Sequence, residues 1–140
     1  MITRMSEEES RALLRAGRLA RLGCVADCYP YVVPVNYVFD GECVISHSLP
    51  GRKVDAMRAF PFVCLQVDEV RDVTRWKSVI AFGTYEELGG AEERERALGL
   101  LLTLFPRLTP VESLITADAG APAPIVYRVR VERITGIREG

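Results

Sequence analysis

The chain has one histidine and one tryptophan among its 140 residues. A lone histidine with no placed carboxylate partner gives no basis for a Ser-His-Asp arrangement. Charge of neither sign dominates: 18 Lys and Arg stand against 19 Asp and Glu, a formal net charge of −1. No global field therefore favours nucleic acid or an acidic membrane surface. The apolar runs fall well short of the roughly 20 residues that a membrane-spanning helix needs. The acidic start MITRMSEEES is unlike a signal peptide, so a cytoplasmic protein is expected. No repeat, low-complexity tract or dinucleotide-binding glycine fingerprint occurs. What is present is 49% apolar and 26% charged, the composition of a soluble globular protein, with a length that suits one domain over residues 1–140.

Cysteine is scarce too, and its four positions argue against a metal site. Cys24 and Cys28 fall in a segment read as strand, where four residues span roughly 13 Å. A zinc ion holds each sulfur at about 2.3 Å, so those two cannot share one. Cys43 and Cys64 sit among apolar neighbours. Reduced, buried thiols acting as small hydrophobes are expected.

Ser6 with Glu9 three residues later makes a capping box, and a helix is expected from Glu7 to Ala16, ended by Gly17. LARLGCVADCYPYVVPVNYVF reads as two strands joined around Asp27 to Pro30. Asp40-Gly41 is a hairpin signal linking NYVF to ECVISHS. Pro50-Gly51 breaks that strand, and KVDAMRAF gives two helical turns that Pro61 stops. FVCLQVDEV is a further strand, turning through residues 71–75 into the long strand WKSVIAFGTYEEL. Gly83 within it marks a bulge or close approach. Glu92 to Phe105 is a helix with Leu98, Leu101, Leu102 and Phe105 on one side, and its charge run from Glu92 to Arg96 is a solvated face. TADAGAPAP is a surface loop, and IVYRVRVERITGI is a closing strand. Six strands with few helices predict a mainly β protein, a small antiparallel barrel.

One stretch in this layout carries chemistry, HSLPGRK at residues 47–53. A strand delivers His47 and Ser48 to a turn, and a helix starts after Gly51. Helix N-termini present unpaired N–H groups and a partial positive charge. Arg52 and Lys53 add two full charges, and Ser48 a hydroxyl donor. Together they could hold one phosphate through charge-assisted hydrogen bonds. From spacing alone, a solvated turn with two surface cations explains the stretch equally well.

Taken in order, GRLARLGCVADCYPYVVPVNYVF, CVISHSLPGRKVDAMRAFPFVCLQVDE, WKSVIAFGTYEEL and YRVRVERITG resemble the FMN-binding split-barrel family. This group includes pyridoxamine 5′-phosphate oxidase and, closer to this pattern, the nitroimidazole-resistance-type flavoproteins. The resemblance runs from Gly17 to Gly136 and implies a six-stranded antiparallel split β-barrel, a homodimer with FMN at its interface. It places Arg52 and Lys53 at the FMN phosphate beside Gly51, and His47 and Ser48 at the end of the strand lining the cofactor. Pro34, Val35 and Asn36 would offer main-chain contacts to the isoalloxazine ring. Trp76, Lys77, Ser78 and Val79 would form a second wall, although Trp76 could equally be core or dimer packing. The family's usual Trp-Arg-Ser motif has Lys77 in its middle position, which keeps the charge and loses bidentate geometry.

The same resemblance implies an FMN-dependent oxidoreductase that reduces small organic electrophiles, with a transient nicotinamide donor. The alternatives are a non-catalytic flavin or haem carrier on the same barrel, or a deazaflavin-dependent reductase; fold alone does not separate them. The sequence stops soon after the ITG strand, without the C-terminal extension of the true oxidases, so pyridoxamine phosphate oxidation is not expected. His47 is the candidate catalytic residue, since a histidine can give up a proton near neutral pH. Shaping the pocket is its duller alternative role. Neither nucleic acid nor membrane is expected as a partner.

Overall fold

The structure, a computed structural model, describes residues 1–105 and 124–140. It opens with a short strand, β1 (Ile2–Arg4), and the helix α1 (Glu7–Ala16). Ser6 caps α1 as the sequence predicts, accepting from the Glu9 amide at 3.1 Å. Gly17 follows, but its φ of −73° is open to any residue. A Cβ there would collide with the Tyr37 hydroxyl, which donates to the Leu14 carbonyl at 2.6 Å. Close approach, not left-handed capping, is what requires glycine. Burial pushes the Tyr37 phenol up to about 12, against the nearby charge of Arg18, so the proton that makes this bond stays in place. Leu14 itself is fully buried, contributing about 1.5–3 kcal/mol to docking the helix.

Two long strands come next, β2 (Leu19–Ala26) and β3 (Tyr29–Asn36), paired antiparallel throughout. Their turn is only Asp27 and Cys28, both at positive φ, 52° and 67°. This left-handed pair matches the twist of a two-residue hairpin. Cys28 therefore sits exposed at a tip, not inside a strand as the sequence suggested. After a break at Tyr37, β4 (Val38–Phe39) pairs with β5 (Cys43–Ser48). Their turn is held by the Asp40 carboxylate, which accepts from the Glu42 and Cys43 amides at 2.8 and 2.7 Å. Helix α2 (Arg52–Ala59) leads to β6 (Phe62–Asp72) and β7 (Arg75–Glu87), then helix α3 (Ala91–Leu104) and β8 (Ile125–Glu139). The expected loop TADAGAPAP lies almost wholly outside the described residues.

Among the described residues the eight strands form one antiparallel sheet in the order β3-β2-β6-β7-β8-β5-β4, with β1 alongside β8. The sheet curls into a split barrel, and β3 comes near β5 where the Ser46 hydroxyl donates to the Asn36 carbonyl at 2.6 Å. The count exceeds the expected six because β1 carries no alternating pattern to announce it, and because Tyr37 interrupts the segment read as one strand. The expected irregularity at Gly83 is present: the β7–β8 register shifts between Phe82 and Gly83, and a Cβ on Gly83 would collide with the Arg130 carbonyl.

Alternate residues of β2 (Ala20, Leu22, Cys24, Ala26) fill the barrel with Leu65, Val79, Tyr127 and Val129. A smaller cluster under α3 joins Ala97 and Leu101 to Val38, Ile45 and Val126. Leu101 is buried there, whereas Leu102 is 45% exposed.

Candidate functional site

Helix α2 starts on Gly51 with no side chain capping it. Its first amides therefore lack the acceptor that Ser6 gives α1, and the end keeps its partial positive charge. Helix α3 also starts uncapped, on Gly90; the cations are what set α2 apart. The exposed Arg52 guanidinium lies 3.3 Å from the Asp27 carboxylate and 5.5 Å above the Tyr31 ring. Lys53 is half-buried. Burial raises the Cys24 thiol pKa, the Lys53 charge opposes that shift, and Cys64 adds to it. Both cations thus face the β2–β3 hairpin.

That hairpin forms one side of a groove of about 470 Å³ on the outer face of the sheet, lined by Gly23, Tyr31, Val32, Cys64 and Phe82 among others. Tyr31 and Cys24 are also in its lining, but both pack toward the barrel core with Ala56 and Met57 of α2. Arg52 and Lys53 therefore stand at the inner side of the hairpin whose outer side walls the groove. Its walls are mostly apolar, and its volume is that of a site for a whole organic ligand. A Cβ on Gly23 would come within 2.9 Å of the Cys64 sulfur, into space the groove uses. Fixed cations at a helix start suit a phosphate, and the apolar trough across the hairpin suits a planar ring system. Sequence reasoning missed Gly23, Val32, Cys64 and Phe82. Gly23 alone carried a usable signal, as a glycine inside an otherwise regular strand.

The residues expected at the site divide into two groups. Gly51, Arg52 and Lys53 come together as described. His47 is half-buried opposite Val126 on β8. Ser48 is buried, and its hydroxyl donates to the Leu49 carbonyl at 2.8 Å. That donor serves the turn in this structure. Pro34 and Asn36 are exposed and Val35 is buried on β3, an end strand of the sheet order. Its outer edge offers main-chain groups to a ligand, although Pro34 has no N–H and the Asn36 carbonyl already accepts from Ser46.

Trp76, Lys77, Ser78 and Val79 are elsewhere. Extending the β2–β6 register puts Ala26 opposite residue 61, whereas Trp76 lies opposite Val70. Nine strand residues separate the two rows, roughly 30 Å along the sheet. Within one chain, this wall and the Gly51–Lys53 turn do not flank a common ligand. The Trp76 indole donates to Glu139 at 3.0 Å, and Ser78 accepts from the Gln66 amide at 3.0 Å. Val79 is fully buried, so its side chain belongs to the core.

Among the described residues no helix is long and apolar enough to cross a membrane. A family model described as pyridoxamine 5′-phosphate oxidase matches residues 6–138. An uncharacterized protein of Rhizobium meliloti, RA0666, is 39% identical over 142 residues, covering 94% of this chain and 91% of the relative. The crystal structure of a FAD-binding protein from Mesorhizobium loti is similar over 100% of this chain and 98% of its own, with TM-score 0.78 and 30% identity. A structure from Bacteroides thetaiotaomicron, named as a candidate 5-nitroimidazole antibiotic resistance protein, covers 99% of this chain and 87% of its own. At TM-score 0.77 and 19% identity, it speaks for the fold alone.

Proposed function

Because the chain belongs to the pyridoxamine 5′-phosphate oxidase family, we propose that it binds a flavin and acts as an oxidoreductase on small organic electrophiles. The flavin is FMN, its phosphate at Gly51, Arg52 and Lys53 and its rings along the groove past Tyr31, Val32 and Phe82. The observation that carries this reading is the uncapped start of α2, whose two cations face the β2–β3 hairpin that walls the apolar groove. The bound flavin supplies electron transfer with a transient nicotinamide donor. The chain's own residues hold the phosphate, cover one ring face and keep water from it. The four free thiols suit a reducing cytoplasm.

The same reading makes the protein a homodimer. Val25, Val32 and Phe62 stand 38%, 65% and 60% exposed on or beside the groove, an apolar surface of the kind that marks an interface. The 30 Å between the phosphate turn and Trp76 also means that the two ends can meet only if Trp76 and Ser78 come from a second chain. Pairing two such faces builds two equivalent sites.

Reconstitution of apo-protein, followed by absorbance, mass spectrometry and light scattering, tests both statements. The expected result is one FMN per chain in a dimer. The named FAD binding of the Mesorhizobium loti protein favours FAD as the second reading, and the mass of the released cofactor separates the two. Retention of haem or a deazaflavin instead would overturn the assignment, and a monomeric holo-protein would overturn the shared site.

A further inference from the structure

Four cations, Arg71, Arg75, Lys77 and Arg138, line one notch of about 200 Å³ where the β6–β7 turn meets the end of β8. Trp76 forms part of its wall, and among the described residues Glu69 and Glu139 are the side-chain carboxylates that line it. The notch is thus locally basic in a chain whose net charge is −1. Its cations are weakly neutralised. Arg75 is held by Asp72 at 2.6 Å, but Arg138 is 3.4 Å from Glu9 and Arg71 is 3.8 Å from Glu69. Lys77 is half-buried and forms no ion pair among the described residues. Glu139 is taken up by the Trp76 indole. Exposed ion pairs contribute only about 0–1 kcal/mol, so a doubly charged phosphate can take the arginine donors from them.

The volume narrows the occupant. Sites for whole organic ligands run from about 300 Å³ upward. This notch holds a phosphoryl group but not a flavin ring system. Its occupant is the phosphate end of a longer molecule, and the half-buried Trp76 beside it offers a flat face against which a ring can lie. The notch is also roughly 30 Å along the strands from the Gly51–Lys53 turn of the same chain, so the cations of the two places do not share one phosphate within a chain.

We propose that this notch binds the terminal 2′-phosphate of the NADP-type nicotinamide dinucleotide that reduces the flavin. The proposal rests on the flavin reading: in the dimer, one protomer's Trp76 end stands beside its partner's groove, so a dinucleotide anchored there reaches the ring. Lys77 is the principal anchor, and Glu139 limits the affinity while it orients Trp76.

Trp76 is the only tryptophan, so intrinsic fluorescence reports on the notch directly, while visible flavin absorbance reports separately on the first site. Flavin-loaded protein is titrated with oxidised NADP, with pyrophosphate and with added FMN. Saturable changes are expected with NADP and pyrophosphate. Lys77→Gln should weaken both about tenfold or more, the effect of one charge-assisted hydrogen bond. Glu139→Gln should tighten both, because it removes a like charge and keeps an acceptor for the indole. A merely structural role would not give opposite signs. No saturable change at millimolar ligand, or equal responses in both variants, would overturn the proposal. So would pyrophosphate binding without NADP binding, which marks a site for free phosphate, or a matching response to FMN, which marks a flavin-phosphate site. Protein that never retains flavin fails in absorbance, whatever the tryptophan shows, and that failure belongs to the flavin reading.

Discussion

Arg52 reaches across from the start of α2 to Asp27 at the tip of the β2–β3 hairpin, 3.3 Å between guanidinium and carboxylate. Both side chains are largely exposed, at 63% and 85%, so the pair adds little to stability. Its consequence is local: Asp27 competes with any anion for Arg52. Asparagine suits the positive φ of position 27, so Asp27→Asn should leave the hairpin intact and free the guanidinium. We expect flavin phosphate to bind as tightly or more tightly in Asp27→Asn, with an unfolding midpoint within about 0.5 kcal/mol of wild type. Weaker FMN binding in this variant, measured by fluorescence titration, would mean that Arg52 does not face the phosphate.

Lys53 is the more buried of the two cations, and its charge is already felt at the Cys24 thiol. Lys53→Ala should weaken FMN by about 1.5–3 kcal/mol, the range for a hydrogen bond to a charged group. Riboflavin, which lacks the phosphate, should lose far less. Equal losses for the two ligands would show that the lysine acts through folding.

Much of the framework was legible in the sequence because local rules and packing agree there. The Ser6–Glu9 box, the Asp40-Gly41 turn and the interruption at Gly83 each depend on a few neighbouring residues. The site was legible only where it is local as well, at Gly51, Arg52 and Lys53. Cys64 and Phe82 reach the groove through the register that sets Gly23 beside Cys64 and Cys64 beside Phe82, and no single segment displays that pairing. Trp76 and Val79 show the converse. They are adjacent in sequence to Lys77 and Ser78, but strand alternation sends Val79 into the core.

Gly83 and Gly99 should respond to alanine in opposite directions. At Gly83 the new methyl meets the Arg130 main chain, which cannot move aside without disturbing the β7–β8 ladder. Overpacking of this kind costs about 1–3 kcal/mol. Gly99 lies inside α3 with nothing within 4 Å of the added carbon, so alanine should stabilise by about 0.5–1 kcal/mol through helix propensity. Urea midpoints at unchanged slope read both. A stable Gly83→Ala protein would show that the bulge yields.

Acid should find a weak point at Glu86. Its carboxylate accepts from Arg130 at 2.9 Å and from Arg128 at 2.7 Å, and those bonds hold its pKa below the usual carboxylate range. A lowered folded-state pKa gives stability that is present above the unfolded value and lost as pH falls through the folded one. Urea midpoints of wild type should therefore drop from about pH 4.5 downward, and Glu86→Gln should show a shallower decline over the same interval. Parallel declines would place the acid sensitivity elsewhere.

His47 stands at the end of β5, two residues beyond Ile45 in the small core cluster and four before the Gly51 that opens α2. It is the one imidazole in the chain. Half-buried and just upstream of the cation turn, it can donate a hydrogen bond to a bound ligand or deliver a proton to the reduced product. It can also simply shape the pocket. His47→Gln separates these roles, because glutamine keeps a donor and cannot shuttle a proton. Proton delivery predicts near-normal FMN affinity with turnover down about a hundredfold or more. Pocket shaping predicts weaker FMN binding with turnover per bound flavin preserved. Wild-type values for both would remove His47 from the site and leave the work to Arg52, Lys53 and the groove.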